Sequence, residues 1–412
     1  MPTIPDFDIA TDLKLEFFLA GGGENLFVIG VSRLGGTDVL GYGGVFTVGI
    51  SLIGGDDLLG ESSFRWTDLN CIISKAQLSI GGMVEDQLYF QPQPGAAQIT
   101  LQSLEFDPIF TPAMRPGVQI RIRLDNGVVN QVIWSGVIDS ISTGYDADGN
   151  NLMNLVAFDN LKRLLNTRLP LFDSQTDFPA GFVTPYEQLE LIADQFGTAM
   201  NSQSSDPGGE IPGTILTDVI PSGLVYEAIQ VGLGLFWLDP ATQEFVFVPR
   251  PSSTSPAPGT PVIGNNHGEA NHLCMSGIQS SVTENTVYNS LKVILESDDT
   301  ISTLRENTDS IELYGRYAQD VTLNTTDLDE LNRWADSVFQ QYASALVDSV
   351  ETPAIDRLGT LTEAAFFTPG QLVGVKYDEG VIAVDEFYTI TKVGHYIDPD
   401  NWFTTLDLWK EA

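Results

Sequence analysis

Cysteine, histidine and positive charge are scarce in this 412-residue sequence. The 2 cysteines, Cys71 and Cys274, lie in different regions and form no C-x-x-C pair. At this chain length that excludes a disulfide scaffold and a paired-cysteine zinc or redox site. Lys and Arg number 19 against 55 Asp and Glu, a net charge of −36. Nucleic-acid affinity comes from cations that neutralise phosphates, so no specific nucleic-acid partner is expected. No apolar run is long enough and free enough of Gly and charge to cross a bilayer, so no membrane-spanning segment is expected. The opening MPTIPDFDIATDLKLEFF has no basic stretch followed by an apolar one, so it is not expected to be a secretory signal.

Catalytic motifs are missing as well. There is no G-x-S-x-G, no phosphate-cradling G-x-G-x-x-G or G-x-x-x-x-G-K-[ST], and no cysteine in a matched histidine context. With 55 carboxylates, acidic pairs occur by chance and point to no glycosidase. The acidic balance suits high solubility, a salty medium, or the lining of a passage that polyanions cross without sticking.

Hydrophobic residues make up 42% of the chain and aromatic ones 10%, a globular composition for two to four domains. Residues 1–60 are glycine-rich, with short β-type runs at Leu26–Val31 and Val45–Leu52; they read as an arm or hairpins with little core of their own. Residues 61–169 are strongly β. In VQIRIRL, Val118, Ile120, Ile122 and Leu124 share one face, while Arg121 and Arg123 point to a wet one. FDNLKRLLNTRL then switches to helical spacing through Phe158, Leu161, Leu164 and Leu165.

Residues 170–252 read as a small α/β module. Thr184 is the expected N-cap of a helix, with Pro185 at its first position and Gly197 past its end. A second helix runs through Leu224, Ala228 and Val231, and LFWLD and EFVFVPR form a hairpin around PATQ. Residues 253–275 are a Pro/Ser/Gly/Asn-rich linker. Residues 276–412 return to β, with SIELYGRYAQDVTLN read as strand. One helix interrupts them, with Thr326 as N-cap and an apolar stripe of Leu328, Leu331, Ala335, Val338, Phe339 and Tyr342. The expected fold is mainly β with α+β parts: β-rich sandwich or barrel domains flanking a small α/β domain.

Two clusters could hold a metal. In GYDADGNN, Asp146, Asp148 and Asn150 alternate, but Gly149 stands at position four where a calcium loop wants it at six, and no glutamate follows at twelve. Asp-Gly between β runs is a hairpin signal, and the turn reading is preferred. In HGEANHLC, His267, Glu269, His272 and Cys274 are ligand types, but the spacing is not H-E-x-x-H and no helix aims them, so a polar loop is preferred. His395 lies alone on a β run, which favours packing over catalysis. Trp66, Trp134, Trp237, Trp334, Trp402 and Trp409 sit in or beside periodic runs and read as core. No catalytic, cofactor-binding or metal residues, and no cofactor, are therefore expected.

The order of features across residues 62–412 is more specific than any motif. RWTDLNCIISKAQLSIGG comes first, then PGAAQITLQSLEFDP, RPGVQIRIRL, IWSGVIDSIST and LMNLVAFDNLKRLLNTRL. This resembles the first hub domain of the minor tail proteins of long-tailed bacteriophages, which build the baseplate hub at the tail tip. NSLKVILES, YGRYAQDVTLNTTDLDELNRWADSVFQQYA, GQLVGVKY and FYTITKVGHYIDPDNWFTTLDLW follow the order of the second hub domain. Gly95 is displaced by one residue from the family's usual strand glycine. The resemblance implies two hub-type β-barrel domains flanking the small α/β domain. It also implies a non-enzymatic homotrimer forming a pseudo-sixfold ring in the virion tail tip or baseplate, assembled in the host cytoplasm. Its implied partners are the distal tail or tail tube protein, the tape-measure protein, and tail fibre or tip proteins, with DNA passing through the ring at ejection. The alternative is a tail-tip enzyme or carbohydrate-binding protein acting on the host cell envelope.

Overall fold

The computed structural model describes residues 8–20, 64–68, 72–85, 89–103, 115–145, 151–178, 181–202, 209–249, 256–265, 272–281, 289–325, 328–339, 346–356, 360–378 and 384–410. Alternation in sequence becomes alternation of burial. In the strand Gln119–Asp125, Ile120, Ile122 and Leu124 are fully buried. The strand Leu13–Ala20 lies beside it with Leu13, Leu15 and Phe17 opposite Leu124, Ile122 and Ile120. Each such side chain contributes roughly 1.5–3 kcal/mol by burial. Leu13–Ala20 also pairs with Phe64–Asp68, so this early segment packs into the chain's own sheet. The β runs expected at Leu26–Val31 and Val45–Leu52 lie outside the described residues.

From Gln119–Asp125 the sheet continues antiparallel through Asn130–Tyr145, Asn151–Phe158, Ala96–Ser103 and Ile72–Glu85. Ile72–Glu85 then pairs with Val384–Ile397, near the far end of the sequence. Beyond that strand, one path runs through Leu372–Tyr377 and Val262–Gly264 to His272–Cys274. The other runs through Trp402–Lys410 and Leu346–Pro353 to Gly277–Ser281. The result is one 15-stranded sheet that draws on both β-rich regions. The architecture is mainly β, as expected, but no closed barrel is present among the described residues. The physical reason is the junction: Ile72–Glu85 gives its free edge to Val384–Ile397, so the first half of the sheet does not return to its own beginning.

Val384–Ile397 changes partner along that edge. Its first part, Val384–Thr389, pairs with Leu372–Tyr377, and its second, Lys392–Ile397, pairs with Ala76–Gly81. Trp402–Lys410 follows the opposite edge across the change. The register shifts between Ile390 and Lys392, which marks Thr391 as the extra residue of a bulge. Gly81 meets the bulge with φ +105, and a Cβ there would stand 2.2 Å from the Thr391 carbonyl oxygen. Only glycine satisfies both the backbone angle and the approach.

The α/β module has two helices, Pro185–Gln195 and Ser222–Gly232, that pack on each other. Its sheet pairs Met200–Ser202 parallel to Phe245–Val248, which forms the expected hairpin with Leu235–Leu238. The first helix begins as its sequence requires. Thr184 and Glu187 complete a reciprocal capping box, Pro185 opens the first turn, and Gly197 follows the end with φ +66. Leu235–Leu238 rests on Ile72–Glu85 and on Tyr89–Pro92. Ser135 Oγ donates to the Pro240 carbonyl at 3.1 Å and ties the module to the main sheet.

A separate three-stranded sheet orders Asp298–Glu306, Ser290–Leu295 and Ala318–Leu323, with the helix Leu328–Phe339 across it. Leu331, Trp334 and Ala335 are buried on that helix, whereas Leu328, expected in the stripe, is 46% exposed. Thr326 and Tyr342 lie outside the described residues. The run read as one strand, SIELYGRYAQDVTLN, is instead the helix Thr308–Tyr314 followed by the strand Ala318–Leu323. Asn307 caps that helix by accepting from Ser310 N at 3.0 Å, and Gly315 ends it with φ +87. Phe158, read as the first helical residue, ends the strand Asn151–Phe158; the helix is Leu161–Asn166.

Replacing Gly81 with Ala forces a strained angle and a backbone clash at the partner change. It is expected to lower unfolding stability by more than about 2 kcal/mol, read as a shift in the denaturant midpoint. Gly144→Ala, where nothing lies within 4 Å of the new methyl, is the control.

Candidate functional site

Asp146, Asp148 and Asn150 lie outside the described residues, as do His267 and Glu269. Tyr145 and Asn151 stand directly opposite one another, so the two strands flanking DADGN are an antiparallel pair, as the turn reading requires. His272 and Cys274 sit on the edge strand His272–Cys274. Among the described residues no group of three or more His, Cys, Asp or Glu could hold a metal ion. Trp134, Trp237, Trp334, Trp402 and Trp409 are buried, as read from sequence.

His395 is the predicted residue that the structure places most informatively. It is buried on Val384–Ile397, between Leu78 of Ile72–Glu85 and Thr404 of Trp402–Lys410. Trp402 Nε1 donates to His395 Nδ1 at 3.2 Å, and the two rings meet edge to face at 5.7 Å. An indole N–H can only donate, so Nδ1 is the bare nitrogen and the neutral ring carries its proton on Nε2. Thr404 Oγ1 lies 3.1 Å from the same nitrogen and donates to the Ala364 carbonyl at 2.9 Å. Burial lowers the His395 pKa to about 4. This group holds the seam between the two halves of the sheet; it is packing, with no substrate-facing geometry.

Two polar clusters were not found from sequence. The first lies on the face of Gln119–Asp125 expected to be wet. Glu16 is only 5% exposed and accepts from Arg121 Nε at 2.6 Å, with Arg123 Nη2 at 2.8 Å. Arg123 and Lys14 also reach Asp125, each at 3.3 Å. The Arg121 guanidinium lies 4.3 Å from the centre of the Trp66 ring, which packs against Phe18 at 5.1 Å. Glu16 in LKLEFF was the available signal: an acidic residue in an otherwise apolar run, which the register sets directly opposite Arg121.

The second cluster is Asp159, buried just before the helix Leu161–Asn166. Its Oδ1 accepts from Leu161 N at 3.0 Å. Burial raises its pKa to about 7, against the lowering effect of backbone N–H groups. A Cβ on Gly95 would stand 2.6 Å from Asp159 Oδ2. The displaced glycine is therefore where the buried carboxyl needs room.

No protein-family model matches the chain. No curated protein matches it either. Solved structures do. The tail protein from Neisseria meningitidis MC58 is 13% identical, with a TM-score of 0.59 over 84% of this chain and 94% of that one. The 43 kDa tail protein of prophage MuSo2 from Shewanella oneidensis is 13% identical, with a TM-score of 0.54 over 84% of this chain and 95% of that one. At such identity the likeness is one of fold, and it spans 84% of this chain and nearly all of each of those proteins. The chain has the fold of these phage tail proteins, as the order of features in residues 62–412 implied.

Two buried groups tilt stability in opposite directions with pH. His395 titrates lower in the folded chain, about 4, than an ordinary histidine near 6.5, so the unfolded chain takes up the proton first. Its neutral form contributes stability above pH 6.5 that is lost as pH falls through the window to 4, on the order of 3 kcal/mol. Asp159, raised to about 7, does the reverse: its contribution is present in acid and is lost as pH rises from about 4 through 7. Urea unfolding from pH 4 to 8 should therefore show a shallower acid decline in His395→Gln. Asp159→Asn should gain on the parent chain as pH rises towards 8.

Proposed function

We propose that the chain is a structural hub protein of a phage-type tail tip or baseplate. The observation that carries this reading is the likeness of fold to two phage tail proteins over 84% of this chain. The ordered strand and turn features of residues 62–412 support it independently. In this reading residues 61–169 and 276–412 supply two hub-type β-barrel counterparts, and residues 170–252 the small α/β domain between them; residues 253–275, expected as a plain linker, instead carry the strands Val262–Gly264 and His272–Cys274 of the main sheet. Leu13–Ala20 adds a strand to the first unit. Three copies then present six similar β units around one axis, which matches a sixfold tail tube or distal tail protein above. The tape-measure protein ends inside the ring, and fibre or tip proteins attach below. The place of action is the virion tail, after assembly in the host cytoplasm.

The net charge of −36 has a use in such a ring. A lumen lined by carboxylates repels DNA, which then slides through without sticking. The protein performs no reaction in this account. Its chemistry is a rigid hydrogen-bonded sheet and an acidic surface.

Purified protein assembled with its tail-tube or distal tail partner is expected to contain three copies per ring by native mass measurement, and to release no sugar from cell-wall glycan. A monomer that degrades glycan would replace the hub reading with that of a tail-tip enzyme. A neutral or basic lumen in the assembled ring would remove the DNA-passage role while leaving the hub role standing.

A further inference from the structure

The sheet of Asp298–Glu306, Ser290–Leu295 and Ala318–Leu323 shares no strand with the main sheet, although residues on both sides of it do. Gly277–Ser281 and Leu346–Pro353 are antiparallel neighbours, and Ser281 faces Leu346. The two ends of everything between them therefore stand one strand spacing apart, about 5 Å. That is the geometry of an insertion: a unit can be carried between adjacent strand ends without disturbing the sheet that carries it. The unit also has its own core. Leu291, Val293, Leu295, Val321 and Leu323 of its strands are buried, as are Leu331, Trp334 and Ala335 of its helix.

Hydrogen bonds join this unit to the α/β module. Trp334 Nε1 donates to the Gln230 carbonyl at 2.7 Å. That carbonyl belongs to the last turn of Ser222–Gly232, where helical carbonyls lack their usual partners. Gln230 Nε2 donates back to the Thr322 carbonyl at 3.3 Å, and Thr325 Oγ1 donates to the Glu210 carbonyl at 3.0 Å. Asn324 Nδ2 donates to Glu227 Oε1, while Glu227 Oε2 accepts from Gln188 Nε2 at 3.0 Å inside the module. The joint is made of hydrogen bonds between two separately folded units, with Trp334 and Thr325 buried at it, and no strand pairing crosses it.

We infer that residues 289–339 form an inserted arm that separates from the α/β module as a rigid body, with the Trp334–Gln230 contact as its latch. The latch carries no part of the main sheet, so release leaves the seam at His395 intact. The arm can reorient while the rest of the chain holds its place. This inference does not depend on the tail-hub reading.

The test uses the full chain with Cys71→Ser and Cys274→Ser, and spin labels at Ser302→Cys on the arm and Gln195→Cys on the module. The parent should give one narrow distance by pulsed electron resonance. Trp334→Phe removes the indole donor and should broaden that distribution, while amide protection in Ser290–Leu295 and in Val384–Ile397 stays at the parent's level. Should Trp334→Phe fail to fold, Thr325→Ala combined with Asn324→Ala removes two bonds at the same joint and carries the same expectation. An unchanged narrow distance in the folded variants overturns the latch. Loss of protection in Ser290–Leu295 together with broadening overturns the rigid arm.

Discussion

One strand has to satisfy two neighbours along a single edge, and the main sheet depends on how it does so. Every buried backbone N–H and C=O needs a partner, and an interrupted edge would leave several without one. Val384–Ile397 avoids this by a bulge at Thr391, where pairing passes from Leu372–Tyr377 to Ile72–Glu85. Thr391 Oγ1 is itself anchored to the Asp407 carbonyl at 3.1 Å. Gly81 leaves room for the bulge carbonyl, and His395, neutral and buried four residues on, ties the next two strands together. The two β-rich halves consequently share one hydrogen-bonded sheet.

Farther along the same sheet, a chain poor in cations spends several of them inside a pairing network. Arg121 and Arg123 neutralise the buried Glu16, and Arg121 also covers Trp66. An unpaired charge at such depth would cost far more than these bonds return, so Glu16 and the two arginines require one another. Asp159 meets the same constraint differently. Its carboxyl is surrounded by backbone N–H groups, with burial raising its proton affinity. Among the described residues, Glu16 and Asp159 are the buried carboxylates.

Local structure was legible in the sequence wherever its cause is local. The alternation through Ile120, Ile122 and Leu124, the Thr184–Glu187 cap with Pro185, and the hairpin after Trp237 each follow from neighbours in the chain. The order of strand and turn features led to the mainly β class and to the likeness with phage tail proteins, but not to the open sheet. What escaped was set by distant residues. Nothing within FYTITKVGHYID states that Gly394 pairs with Ser79, so the shared sheet and the open path were not readable. Glu16 made the Arg121 face buried from more than a hundred positions away in sequence. The helix Thr308–Tyr314 was missed for a local reason: Ile311 and Leu313 alternate as a strand does, and the deciding signal was the Asn307 cap.

The central claim is that this chain forms the axial hub of a tail. Electron cryo-microscopy of intact particles tests it most directly. The account predicts three copies around the tail axis, with the seam strands Ile72–Glu85 and Val384–Ile397 in one continuous wall and carboxylates facing the lumen. Density for the chain off the axis, as a peripheral appendage, would contradict it.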